Sequence, residues 1–179
     1  MLMISTENSL VPSQRRQVTA WMIAFGAYGA AQGLSAQVSR WMRGRGTRMQ
    51  YQRELERPLF APPGVAFPVV WSVLNLTTAT SAWRVWRARV SLGSESAQPG
   101  ALAWWTLAVL VRSGYVPLAF GRRRLWAATA DSAALTAVLL GYARRARRDD
   151  RLAAALAAPE IAWTAFATIL SAAIARRNS

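Results

Sequence analysis

Three ionisable side chains stand inside long runs of uncharged residues: Arg112, Asp131 and Glu160. A charge in an apolar run is costly to desolvate, so each of them needs a partner or a role. Two chemistries suit Arg112. It can pair with Glu160 or Asp131 inside a bundle, or it can meet the carboxylate of a ligand. The plainer alternative is an arginine that snorkels to water or sits at a partly hydrated cavity. Charge reversal separates these cases, because Arg112→Glu with Glu160→Arg recovers folding or binding only if the two touch. Asp131, about two turns into its run, is placed to cap or tether the preceding Arg122-Arg123-Arg124 loop.

Aromatic rings are the second chemistry-bearing group. Of nine tryptophans, Trp21, Trp41, Trp83, Trp86, Trp104, Trp105 and Trp126 fall near the ends of uncharged runs, where amphipathic rings anchor at a membrane surface. Trp71 and Trp163 lie well inside their runs. With Phe67 and Phe166 they can form an aromatic slot for a flat ring system, or they can fill helix interfaces.

What is missing narrows the chemistry. The chain has no histidine and no cysteine. Ser-His-Asp and Cys-His catalysis, thiolate redox chemistry, Cys/His zinc sites and disulfides are therefore excluded. So is ordinary haem ligation through His or Cys. There is no glycine-rich phosphate loop with a following lysine, and the acids form no DxD or ExxE pair inside a run. No residue stands out as a general acid or base, no catalytic residue is assigned, and no cofactor is required.

The elements that must position these residues follow from the spacing of charge. Of the 179 residues 53% are hydrophobic, which is material for one domain. Gln17 to Ser39 is uncharged for 23 residues, Pro58 to Trp83 for 26 and Ser96 to Val111 for 16. Leu125 to Ala143 contains only Asp131, and Leu152 to Ala175 contains only Glu160. A bilayer-spanning helix needs about 20 such residues. The expected fold is thus an all-α membrane protein, a bundle of five transmembrane helices over approximately 17–39, 60–86, 99–120, 124–144 and 152–175. Residues 1–16 are expected to form a flexible tail and 17–177 a single domain. Pro62 and Pro63 suit the first turn of the second helix, where a missing N–H costs nothing. Pro117 and Pro159 free carbonyls one turn earlier, and kinks there would widen the bundle.

All 22 basic residues are arginine, gathered almost entirely in the gaps between runs, and the net charge is +14. A nucleic-acid patch would have to coexist with helices apolar all round, so the arginines are read as interfacial anchors and no nucleic-acid partner is expected. Counted by side, ten arginines flank one face and eleven the other, so charge bias leaves the orientation undecided. The first run is too long for a signal-peptide core. Its Gly29-x-x-x-Gly33 stripe favours close helix packing and gives modest support to a homodimer.

The stretch Pro58-Leu59-Phe60-Ala61-Pro62-Pro63-Gly64-Val65-Ala66-Phe67-Pro68-Val69-Val70-Trp71 resembles the TspO/MBR family of tryptophan-rich sensory and translocator proteins. The second span of that family opens Pro-x-Trp-x-Pro-Pro-x-x-x-Phe-x-x-x-Trp. Pro58, Pro62, Pro63, Phe67 and Trp71 match. Pro117-Leu118-Ala119-Phe120-Gly121 with Asp131, and Pro159-Glu160-Ile161-Ala162-Trp163-Thr164-Ala165-Phe166-Ala167-Thr168, look like later spans, so the resemblance covers roughly Tyr51 to Asn178.

The resemblance implies that Trp71 and Trp163 line a ligand cavity and that the polar connector Arg40 to Arg57, eighteen residues long, folds over it as a lid. Tyr51 and Phe60 fall where the family has tryptophans. Arg112 and Glu160 depart from the family, which typically has asparagine and an aromatic there. The ligand-binding candidates are Trp71, Trp163, Phe67, Phe166, Phe60, Tyr51 and Arg112, and the intramembrane charge partners are Arg112, Asp131 and Glu160. Lid residues Arg53 and Arg57 suit the carboxylates of a porphyrin.

The implied function is an integral, multi-pass membrane receptor or carrier for a flat hydrophobic ligand, a tetrapyrrole such as a porphyrin, in a bacterial cell membrane. Light-dependent porphyrin breakdown is the enzymatic alternative. A structural or transport role without tetrapyrrole is the other, favoured by the reduced lid aromatics. Leu140-Gly141-Tyr142-Ala143-Arg144 satisfies a loose sterol pattern, on which no sterol binding is expected.

Overall fold

The computed structural model describes residues 55–91, 100–115, 118 and 124–178, together with Val18, Met22 and Gly26. Among the described residues there are four helices and no strand: α1 (Ala66–Ser91), α2 (Ala101–Arg112), α3 (Leu125–Asp149) and α4 (Arg151–Arg177). α3 and α4 are each long and apolar enough to cross a membrane, while α2 is a shorter apolar helix. The run Gln17 to Ser39 expected to form a fifth helix lies outside the described residues except for Val18, Met22 and Gly26, all three helical and exposed.

α3 and α4 form an antiparallel hairpin because almost nothing separates them. Asp150 ends α3 in extended backbone, and its Oδ1 accepts from the N–H groups of Leu152 at 2.8 Å and Ala153 at 3.0 Å, capping α4. Oδ2 of the same carboxylate lies 2.7 Å from the Arg84 guanidinium on α1, tying that helix to the hairpin. Buried positions on α3 fall at Ala128, Ser132, Leu135, Leu139, Tyr142 and Ala146, alternating steps of four and three. α4 repeats the rhythm at Ala153, Ala157, Glu160 and Thr164. A 4-3 repeat keeps one seam turned to a neighbour along the whole helix, and alanine in it lets backbones approach closely.

The polar residues of α1 are distributed the opposite way from those of a soluble helix. Val69, Val73 and Leu76 are exposed, while Thr78 and Ser81 are buried with Leu74, Ala79, Ala82 and Val85. Several hydroxyls spend their proton on the preceding turn: Ser72 donates to Pro68 O at 2.8 Å and Thr80 to Leu76 O at 2.7 Å. That satisfies them inside the helix, as apolar surroundings demand. Ser81 donates to the Ala153 carbonyl at 2.6 Å, so the Tyr142 hydroxyl, also 2.6 Å away, must be the donor in their mutual bond. Three helices meet at that node.

Three local expectations differ from what is found. α1 begins at Ala66, so Pro62 and Pro63 belong to the turn before the helix, which closes with Ala66 N donating to Pro63 O at 2.9 Å. α2 stops at Arg112, and the chain turns at Ser113 and Gly114 before helical backbone returns at Tyr115. A Cβ at Gly114 would come within 2.8 Å of Asp131 Oδ1, so a larger residue here would require the Asp131 carboxylate to move. Pro117 lies outside the described residues, and α4 runs on through Pro159. Trp105, expected as a surface anchor, is 8% exposed and packs with Val85, Tyr142 and Ala153 in the core.

Candidate aromatic site

The site is assembled at the end of the bundle where α1 begins. Pro58, Pro62 and Pro63 have no N–H, so this irregular entry leaves few donors to satisfy. One of them is met when Ala61 N donates to Pro58 O at 3.0 Å. The turn brings Phe60 onto Phe166 of α4, edge to face, with centroids 6.3 Å apart. Phe67, in the first turn of α1, meets Trp163 edge to face at 5.8 Å. Trp163 and Phe166, three residues apart on one face of α4, lie 5.5 Å from each other at 42°. Phe60, Phe166, Trp163 and Phe67 are therefore one continuous wall of rings.

Trp71 follows Phe67 by one turn of α1 and faces a cation. The Arg112 guanidinium sits 5.3 Å from the Trp71 ring centroid, a cation–π contact. Arg112 forms an ion pair with Glu160, one turn before Trp163. Glu160 is completely buried, and Thr78 donates its hydroxyl to the second carboxylate oxygen. Arg112 also donates to Asn75 Oδ1 at 3.4 Å. Residues of α1, α2 and α4 thus converge on one polar knot beside the rings.

Of the residues singled out from sequence, the structure brings together Phe60, Phe67, Trp71, Arg112, Glu160, Trp163 and Phe166. Tyr51 lies outside the described residues, as do Arg53 and the Arg122-Arg123 part of the loop assigned to Asp131. Asp131 is set apart, against Gly114, and Arg112 pairs with Glu160 rather than with it. Thr78 and Asn75 were not singled out. Their signal was available as the polar stripe Asn75, Thr78, Ser81 at three-residue spacing within an uncharged run, one face of a helix. Glu160 likewise stands on the seam of Ala153, Ala157 and Thr164, where burial is forced.

Where the chain enters the site, the residue preceding Arg57 is clasped to the carboxy-terminal end of α4. Glu56 N donates to Asn178 Oδ1 at 3.0 Å, and Asn178 Nδ2 donates to Glu56 O at 3.1 Å. The same amide donates to Ile174 O at 2.8 Å, so Asn178 closes the helix and holds the incoming chain together. The loose sterol pattern at the end of α3 is turned inward, since Tyr142 is 0% exposed and bonded to Ser81.

The family model of TspO/MBR proteins matches residues 18–177. The chain belongs to the TspO/MBR family. Relatives agree with this placement. YtaB of Bacillus subtilis (strain 168), an uncharacterized membrane protein, is 29% identical over 133 residues, 72% of this chain and 81% of its own length. The Translocator protein of Homo sapiens is 26% identical over 140 residues, 78% of this chain and 80% of that protein. Protein CrtK of Rhodobacter capsulatus is 37% identical over 71 residues, 40% and 42% of the two chains. The TspO/MBR match runs through all four helices, including both ring-bearing segments. This TspO/MBR chain is a membrane protein in which α3 and α4 are apolar enough to span.

Proposed function

We propose that this protein is a membrane receptor or carrier for a flat hydrophobic ligand, a tetrapyrrole of the porphyrin class, in the bacterial cell membrane. The amino-terminal apolar run would supply its fifth span. The observation that carries the reading is the ring wall Phe60–Phe166–Trp163–Phe67, with Trp71 one turn beyond Phe67 on α1. Edge-to-face and tilted rings leave aromatic faces and edges for a planar molecule, and such surfaces bind conjugated rings by dispersion and quadrupole complementarity rather than by ligation. The absence of histidine and cysteine in the sequence fits a ligand held in that way.

Porphyrin added to the detergent-solubilised protein should quench tryptophan fluorescence saturably, and Trp163→Ala should weaken the titration by about tenfold or more, the scale of losing one buried aromatic anchor. Unchanged fluorescence at micromolar porphyrin would sink the proposal in favour of a membrane role without tetrapyrrole.

A further inference from the structure

Arg112 and Glu160 stand at the inner end of the ring wall, away from the Glu56–Asn178 clasp. A lone arginine at this point would make an anion site, because its planar fork matches a carboxylate. Here the fork is already engaged. One Glu160 oxygen takes the guanidinium and the other takes the Thr78 hydroxyl. Asn75 Oδ1 faces Nη1 at 3.4 Å, and the Trp71 ring lies against the guanidinium. The arginine's charge is opposed inside the protein before any ligand arrives. A ligand carboxylate brought to the same place would sit beside a completely buried carboxylate, and like charges a few ångströms apart repel strongly where water is excluded.

We infer that Glu160 is a specificity-determining residue: by holding Arg112 it keeps the inner end of the ring wall neutral, so that a planar conjugated ligand enters with an uncharged edge inward. Carboxylates on such a ligand stay at the other end of the ring wall, toward the Glu56–Asn178 clasp. The inference rests on the flat-ligand reading and adds to it which edge of the ligand is admitted. Glu160 acts on the ligand through Arg112, so its role is positional as well as electrostatic.

The test uses the full chain in detergent, with protoporphyrin IX and its dimethyl ester as probes and tryptophan quenching as the readout. Glu160→Gln keeps the shape and an acceptor for Thr78 but releases Arg112. It should shift the diacid-to-diester preference toward the diacid by roughly tenfold, the scale of one new charge-assisted hydrogen bond. Arg112→Gln with Glu160→Gln removes both charges and should return the preference to the wild-type value. An unchanged preference in Glu160→Gln overturns the inference. So does a diacid preference in the wild type that the double variant loses, since Arg112 would then already reach the ligand.

If Glu160→Gln does not fold, the wild-type and double-variant preferences decide, equality supporting the inference. If neither probe binds the wild type, the flat-ligand reading falls and this inference with it. If both bind and only the pattern of preferences fails, this inference alone falls.

Discussion

Phe67 and Trp163 meet edge to face across α1 and α4, with ring centroids 5.8 Å apart and planes at 72°. Such a pair contributes about 0.5–1.5 kcal/mol beyond the area it buries. A double-mutant cycle of Phe67→Ala and Trp163→Ala, read by reversible unfolding in mild detergent, should therefore return a coupling of that size. Phe67→Ala should also weaken porphyrin quenching, whereas Trp86→Phe, near the far end of α1, should leave it unchanged. Additive effects of the two alanine substitutions would mean that the rings do not touch.

α2 and α3 approach closely at Gly141, where a Cβ would lie 2.5 Å from the Trp104 ring. Gly141→Ala should push the helices apart and cost about 1–3 kcal/mol, the usual scale of overpacking. Trp104→Leu in the same chain should restore most of the loss. The melting temperature in detergent checks both, and a Gly141→Ala chain as stable as the parent would contradict the contact.

The Ser81 node makes an asymmetric prediction. Tyr142→Phe removes one donor but leaves Ser81 bonded to the Ala153 carbonyl, so it should cost about 0.5–1.5 kcal/mol, the net worth of one hydrogen bond. Ser81→Ala removes the partner of two buried groups at once and should cost more. The reverse order in chemical denaturation would show that the proton assignment is wrong.

Asp150 gives the fold a dependence on acid. Burial alone would raise its pKa, but the Ala153 N–H, the Arg84 guanidinium and the Leu152 N–H favour the carboxylate and prevail, holding it below the ordinary value. A group depressed on folding stabilises fully above its unfolded value, about 3.9 for Asp. That contribution is lost as pH falls through the folded value. Asp150→Asn keeps a capping oxygen but loses the charge. Its melting temperature should lie below the parent's by a constant amount from neutral pH to about pH 5, and the gap should close below about pH 4. A gap independent of pH would assign the effect to capping alone.

How much of this was legible beforehand depends on the scale of the feature. Helices follow from long uncharged runs bounded by arginine, because apolar surroundings compel the backbone to satisfy itself. Their edges were less legible: α2 ends at Arg112, just before Gly114 comes close to Asp131, seventeen residues on. Trp105 has the sequence surroundings of a surface anchor and is found in the core, because hydropathy does not record which side of a helix a neighbour occupies. The unanticipated Thr78 and Asn75 were written as a stripe whose meaning depended on what faced it.

The sequence by itself determined the family, the helical class, the exclusion of thiol and imidazole chemistry and the rings available to a site. These depend only on residue types and on order along the chain. Tertiary structure decided that Arg112 turns to Glu160 and not to Asp131, and that Phe60 reaches α4 before the first helix has begun. It also decided that the inner end of the ring wall carries a paired charge. Those outcomes turn on the distance and orientation of groups on helices remote in sequence, which set the strength of a charge or a ring contact where water is excluded.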